Sequence, residues 1–191
     1  MRQPNVGIMV SNFLSDVSLN PANAAILSRW DQIDLPNAWL VAGCLFQTVW
    51  NLQLGRSPSA GIKDYDIFYF DDDDLSSRSE QLAQAKVDAV LADLGIDVEV
   101  VNQARVHLWY PQHFGRPYPA LASSEEGIKR FLVLETCVGV RPDECYAPFG
   151  LHGVYAGQLS PNPLTPYAEL FSEKGASYRS RWPHLSQGSG A

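Results

Sequence analysis

Asp64-Tyr65-Asp66-Ile67-Phe68-Tyr69-Phe70 is the stretch on which the reading of the fold turns. Its aromatic and β-branched residues predict a strand, and its later part is apolar on both faces, as in a central buried strand. Side chains alternate along a strand, so Asp64 and Asp66 point the same way, roughly 7 Å apart. Two carboxylates that close repel each other, and the apolar run beside them makes an uncompensated charge costlier. A divalent cation relieves both costs. Magnesium, or manganese in its place, takes hard oxygen ligands and often completes its shell with phosphate oxygens of a substrate. Asp64 and Asp66 are therefore candidate metal ligands and candidate catalytic residues. A further acid on a neighbouring strand would complete a site for phosphoryl chemistry.

The chain on either side of this strand supplies the remaining parts. Downstream, Ser76 to Leu94 has a helical pattern, with Leu82, Ala85, Ala89, Val90 and Leu94 as its expected inner side and Gly95 as its stop. Ile96 to Val101 alternates and predicts a second strand, with Asp97 and Glu99 on one face. Glu99 lies deeper in that strand, so it is the expected third acid, a candidate catalytic residue and a candidate metal ligand beside Asp64 and Asp66. Asn102 is placed to cap a helix from Gln103 to about Tyr110, ended by Pro111 to Gly115; a continued strand is the other reading. Upstream, Trp39 to Ala42 is a short apolar strand that runs into Gly43. Leu45, Val49, Trp50 and Leu52 then recur at helical spacing as far as Gly55. A glycine at a helix N-terminus lets a phosphate approach the free backbone N–H groups, and this makes Gly43 a candidate phosphate contact.

Further out, Asn20 and Pro21 open a helix that runs to Ile33. Ser124 to Phe131 and Tyr167 to Tyr178 are expected helices, Thr136 to Arg141 is expected to be extended, and Pro142 to Pro166 to be mostly loop. Strands and helices alternate, which predicts an α/β or α+β fold with a mixed sheet. One domain over residues 1–186 is expected, with a flexible tail at 187–191.

Composition narrows the partners. Of 191 residues, 46% are hydrophobic and 18% charged, which suits one globular core. The net charge of −7 argues against general nucleic-acid binding, which calls for a basic face. Cys44, Cys137 and Cys145 form no CxxC pair, so a reducing compartment is expected. Residues 1–19 lack the apolar core of a signal peptide, and no run is long enough to span a bilayer. A soluble, cytoplasmic protein follows as the expectation.

The other polar residues leave alternatives open. Arg105 could hold a phosphate bidentately, or could form a buried pair with Asp64, Asp66 or Glu99. His107 reads as a structural hydrogen-bonding residue, since no triad or zinc spacing surrounds it. Asp71 to Asp74 lacks the spacing of a calcium loop and reads as a solvated cap before the next helix. The tryptophans are scattered core candidates, although Trp109 or Tyr110 could stack a base.

Several longer motifs carry a resemblance. Trp39-Leu40-Val41-Ala42-Gly43, Thr48-Val49-Trp50-Asn51, Asp64 to Asp71 and Asn102-Gln103-Ala104-Arg105-Val106-His107-Leu108-Trp109-Tyr110 resemble a bacterial nucleotidyltransferase-like family. Tyr146 to Leu151, Pro161-Asn162-Pro163 and Arg181-Trp182-Pro183 match it too. The resemblance spans about Ile26 to Pro183 and implies the polymerase-beta type of nucleotidyltransferase fold. It also implies divalent metal on Asp64 and Asp66, Glu99 as the acid before the Asn-Gln-Ala-Arg run, and Gly43 on the phosphate side of a nucleoside triphosphate. Cys44 stands beside Gly43 at the cofactor side, where the superfamily usually has Gly or Ser. The acid that often follows the Phe-Gly-Leu motif is missing here. The implied reaction moves a nucleoside monophosphate from an NTP to a hydroxyl acceptor, a small molecule or protein. A nucleotide-binding module without turnover is the alternative.

Overall fold

The computed structural model describes residues 6–188. The first element described is helix α1 (Val6–Ser18), for which no periodic pattern stands out in the sequence. Asn20 then caps α2 (Pro21–Ser28) as expected, its side chain accepting from the Ala22 N–H at 3.0 Å. The expected single helix breaks at Arg29, and α3 (Trp30–Ile33) follows.

Strand β1 (Trp39–Val41), helix α4 (Gly43–Gln53) and strand β2 (Asp64–Tyr69) lie where the sequence predicts them. Next come α5 (Ser77–Leu91) and β3 (Asp97–Asn102). Helix α6 (Val106–Phe114) starts later than expected and contains Pro111. Asn102 does not cap it. Instead the Asn102 side chain accepts from the Asp71 N–H and donates to the Asp71 carbonyl, tying the chain after β2 to the end of β3. After α7 (Ser124–Ile128) come β4 (Gly139–Arg141), β5 (Glu144–Tyr146), α8 (His152–Ala156), β6 (Gln158–Leu159), α9 (Ala168–Arg181) and β7 (Ser186–Gln187). The stretch 142–166 thus holds more regular structure than a loop. Gln187 pairs with Leu159 and so is not part of a tail; residues 189–191 lie outside the described residues.

The main sheet has the order β3-β2-β1-β4-β5, with β2 and β3 parallel and the other neighbours antiparallel. This is the mixed sheet flanked by helices that the alternation predicts. One face, with Tyr65, Ile67, Val98 and Val100, joins the large core against α1, α4 and α5. The other face carries Trp39 and Val41 in a smaller cluster with Ile128. Register sets what shares that second face. Val41 lies opposite Asp66, Trp39 opposite Phe68, and Asp66 beside Glu99.

The inner side of α5 differs from expectation. Ala83, Val87 and Leu91 are buried, while Leu82 is 61% exposed. The reason is that β3 is an edge strand whose free polar groups need cover. Gln84 donates to the Val98 carbonyl and accepts from the Val100 N–H, both at 2.8 Å. Glu80 accepts from the Asn102 N–H at 2.9 Å. Those polar contacts, rather than hydrophobicity alone, set the rotation of the helix.

Two late motifs are structural hubs. The Asn162 side chain donates to the carbonyls of Lys129 and Phe131. The Trp182 indole donates to Asn51, whose own amide holds the loop after α4 through Pro58 and Ala60.

Candidate active site

A cavity of about 440 Å³ lies on the second face of the sheet. Asp64, Asp66 and Phe68 of β2 form its floor together with Glu99 and Val101 of β3. Gly43, Phe46 and Gln47 close it from α4, and Lys174 and Tyr178 from α9. Glu99 lines the cavity and Asp97 does not, although both lie on one strand face.

The turn into α4 has an unusual backbone. Ala42 has φ 61° and ψ −139°, a region that costs a residue with a Cβ roughly 1–3 kcal/mol. Ala42 and Gly43 line the cavity, so the N-terminus of this eleven-residue helix borders it. Gly43 is also needed for space, because a Cβ there would lie 2.4 Å from Nε2 of Gln47. Gln47 is the flexible end of a side chain, so it can move, but only within the cavity. Gly43→Ala is accordingly expected to cost no more than about 1 kcal/mol of stability. The same change should weaken NTP binding at least about tenfold. Thermal melts and nucleotide titration check both halves.

Cys44 occupies a different place from the one the sequence suggests. Its side chain is fully buried in the core and donates to the Val41 carbonyl at 3.2 Å. Burial and the charge of Asp66 hold its thiol well above the usual range, so it stays protonated. Only its backbone is left to meet a phosphate.

Asp66 is in the electrostatic state that the strand predicts. Burial raises Asp66 to about 7, and repulsion from Asp64 and Glu99 adds to this, while Lys174 opposes it. An acid raised in the folded state holds its proton there after the unfolded chain has released its own. Its contribution to stability is therefore full at low pH and is lost as pH rises from about 4 to about 7. The difference in stability between wild type and Asp66→Asn should shrink as pH falls across that window. Denaturant melts of the apo protein at stepped pH would refute this if the two proteins ran parallel.

The donor set fits a hard cation. It is a crowded pair of carboxylates that no salt bridge neutralises among the described residues, beside a helix N-terminus suited to phosphate. Among the described residues no three His, Cys, Asp or Glu side chains converge into a ready-made cage. Asp64 and Asp66 would hold the ion with substrate oxygens and water making up the rest, as magnesium commonly does.

Arg105 stands outside this cavity. Its guanidinium pairs with Glu80, and its Nε donates to the Leu75 carbonyl at 2.8 Å. The expected partners Asp64, Asp66 and Glu99 are not the ones it has. His107 keeps a buried Nδ1 with no hydrogen-bond partner among the described residues. Asp71 and Asp74 accept backbone N–H groups two residues on, as turn and cap residues do.

Several lining residues escape a sequence reading. Lys174 and Tyr178 are one helical turn apart on α9, in a stripe with buried Phe171 and Gly175; a lysine inside such a stripe is the signal that could have found them. Arg130 and Tyr118 come from irregular chain and carry no such mark.

Two strand-borne aspartates and a helix N-terminus thus share one cavity on a mixed sheet. A solved structure described as an NMR structure that reveals a CCA-adding enzyme head domain has this fold. It aligns with a TM-score of 0.73 over 97% of this chain and 96% of that chain, at 24% identity. The chain belongs to the nucleotidyltransferase family whose model matches residues 28–187. No curated protein matches it. Among the described residues no helix is long and apolar enough to cross a membrane.

Proposed function

We propose that the chain is a magnesium- or manganese-dependent enzyme that transfers a nucleoside monophosphate from an NTP to a hydroxyl acceptor. The observation that carries this reading is the cavity shared by Asp64, Asp66 and Glu99 with the N-terminus of α4. Asp64 and Asp66 would hold the ion, which would supply polarisation of the phosphate oxygens. The backbone at Gly43 and Cys44 binds the β- and γ-phosphates, and Lys174 balances their charge. The acceptor oxygen bonds to the α-phosphorus, the bond from that phosphorus to the bridging oxygen breaks, and pyrophosphate leaves. Glu99 completes the carboxylate wall and receives the hydroxyl proton. The net charge of −7 favours a small-molecule or protein acceptor over nucleic acid.

Calorimetric titration of each NTP with and without Mg²⁺, followed by a pyrophosphate-release screen over hydroxyl acceptors, tests this. Metal-dependent NTP binding together with release in the presence of an acceptor is the expected result. Binding without release across a broad screen would favour a nucleotide-binding module instead.

A further inference from the structure

The cavity has two chemically distinct ends. Val41 pairs with Asp66 in antiparallel register, so Gly43, two residues on, lies at the Asp64 end of β2. Phe68 marks the opposite end, roughly 13 Å along the strand from Asp64. Besides Phe46 and Tyr178 on the α4 and α9 side, the lining includes Trp109, Tyr110, Tyr118 and Phe131. Tyr110 and Tyr118 pack with ring centroids 4.6 Å apart, and Trp109 lies 6.0 Å from Tyr110. Phe131 meets Phe68 edge-on at 5.6 Å.

Arg130 lines the cavity beside these rings, its guanidinium carbon 6.0 Å from the Tyr118 ring centroid. Among the described residues Arg130 pairs with no carboxylate, and its Nε is buried without a hydrogen-bond partner. Arg105 and Arg141, by contrast, are each engaged by a glutamate. Arg130 is half-buried; a buried guanidinium N–H without a partner carries a cost, and a bidentate anion would supply the missing acceptor.

Displacement at phosphorus is in line, so the attacking oxygen enters opposite the departing pyrophosphate. With the leaving phosphates at Gly43, the acceptor comes from the Phe68 end. We propose that this end is an acceptor subsite for a hydroxyl-bearing aromatic molecule with an anionic group. Its ring stacks on Tyr110, Tyr118 and Trp109, its anion meets Arg130, and its hydroxyl reaches back toward Glu99. The assignment as acceptor rests on the nucleotidyl-transfer reading; the affinity for an aromatic anion does not.

The probe is para-(hydroxymethyl)benzoate, with benzyl alcohol and acetate as the versions lacking anion and ring. Ligand-observed NMR on the full chain gives affinities and cross-relaxation from the ring protons. The acid is expected to bind at least about tenfold tighter than either half-ligand, the scale of one charged hydrogen bond. Its ring protons should contact Tyr110 and Tyr118. Arg130→Gln should remove the advantage over benzyl alcohol and leave Mg·ATP affinity unchanged. Equal binding of acid and alcohol to wild type would overturn the proposal. So would loss of Mg·ATP binding in a folded Arg130→Gln, because the subsite would then serve the donor. If that variant fails to fold, ring contacts to Tyr118 in wild type support the proposal and their absence overturns it. Binding of the acid without any binding of Mg·ATP would sink the transfer reading and the acceptor role with it.

Discussion

Asp64→Asn combined with Asp66→Asn is expected to abolish nucleotidyl transfer, by at least about a thousandfold, or ~4 kcal/mol at the barrier. The same double variant should melt higher than wild type in the absence of metal. The two effects share one cause. Asp66 is raised to about 7 by burial and by its acidic neighbours, so near neutral pH the folded protein carries an electrostatic cost that asparagine lacks. Each kcal/mol regained should raise the melting temperature by about 2–4 °C in a chain of this size. Mg²⁺ should stabilise wild type and leave the variant unmoved, because the variant lacks the proposed ligands. A variant that melts lower than wild type without metal, or gains as much from Mg²⁺, would count against the metal pair.

Breaking the pair between Arg105 and Glu80 should cause the largest loss of stability. Their side chains are only 10% and 23% exposed, so solvent screens the pair weakly. Arg105 also donates to Leu75, and Glu80 also accepts from the Asn102 N–H, so the pair joins the loop before α5 to the end of edge strand β3. Arg105→Met leaves the Glu80 carboxylate without its cation and should cost about 3–5 kcal/mol. Arg105→Lys should recover part of this, because a point charge cannot serve both Leu75 and Glu80. Urea melts give both numbers. Because Arg105 lies outside the cavity, NTP affinity measured well below the melting temperature should stay within about twofold of wild type. A variant that keeps its stability but loses nucleotide binding would reverse this assignment.

The placement of these residues separates what was legible from what was not. Asp64, Asp66 and Glu99 could be found in the sequence because strand alternation is a local property. Two positions apart means one face, whatever the rest of the chain does. Gly43 was legible for a similar reason, standing where an apolar strand gives way to a helical pattern. Cys44 was misplaced because a residue at the first turn of a helix can face the core or the cavity. The packing of α4 on the sheet makes that choice. The inner side of α5 was misread because periodicity counts apolar residues only. Gln84 and Glu80 face β3 on account of its unpaired edge, which exists only once the strand order is set.

The sequence by itself determined the mixed α/β class, the strand carrying two aspartates, the glycine turn ahead of α4 and the Asn20 cap of α2. All of these follow from short-range geometry and side-chain chemistry. Tertiary structure alone decided that Lys174 and Tyr178 of α9 close the same cavity, more than a hundred residues along the chain from the aspartates. It alone gave Arg105 its partner in Glu80 and left Arg130 beside aromatic rings with no carboxylate partner among the described residues. The physical reason is the same in each case. A charged side chain takes its role from the groups that packing brings beside it, and nothing in its own neighbourhood of sequence records which groups those are.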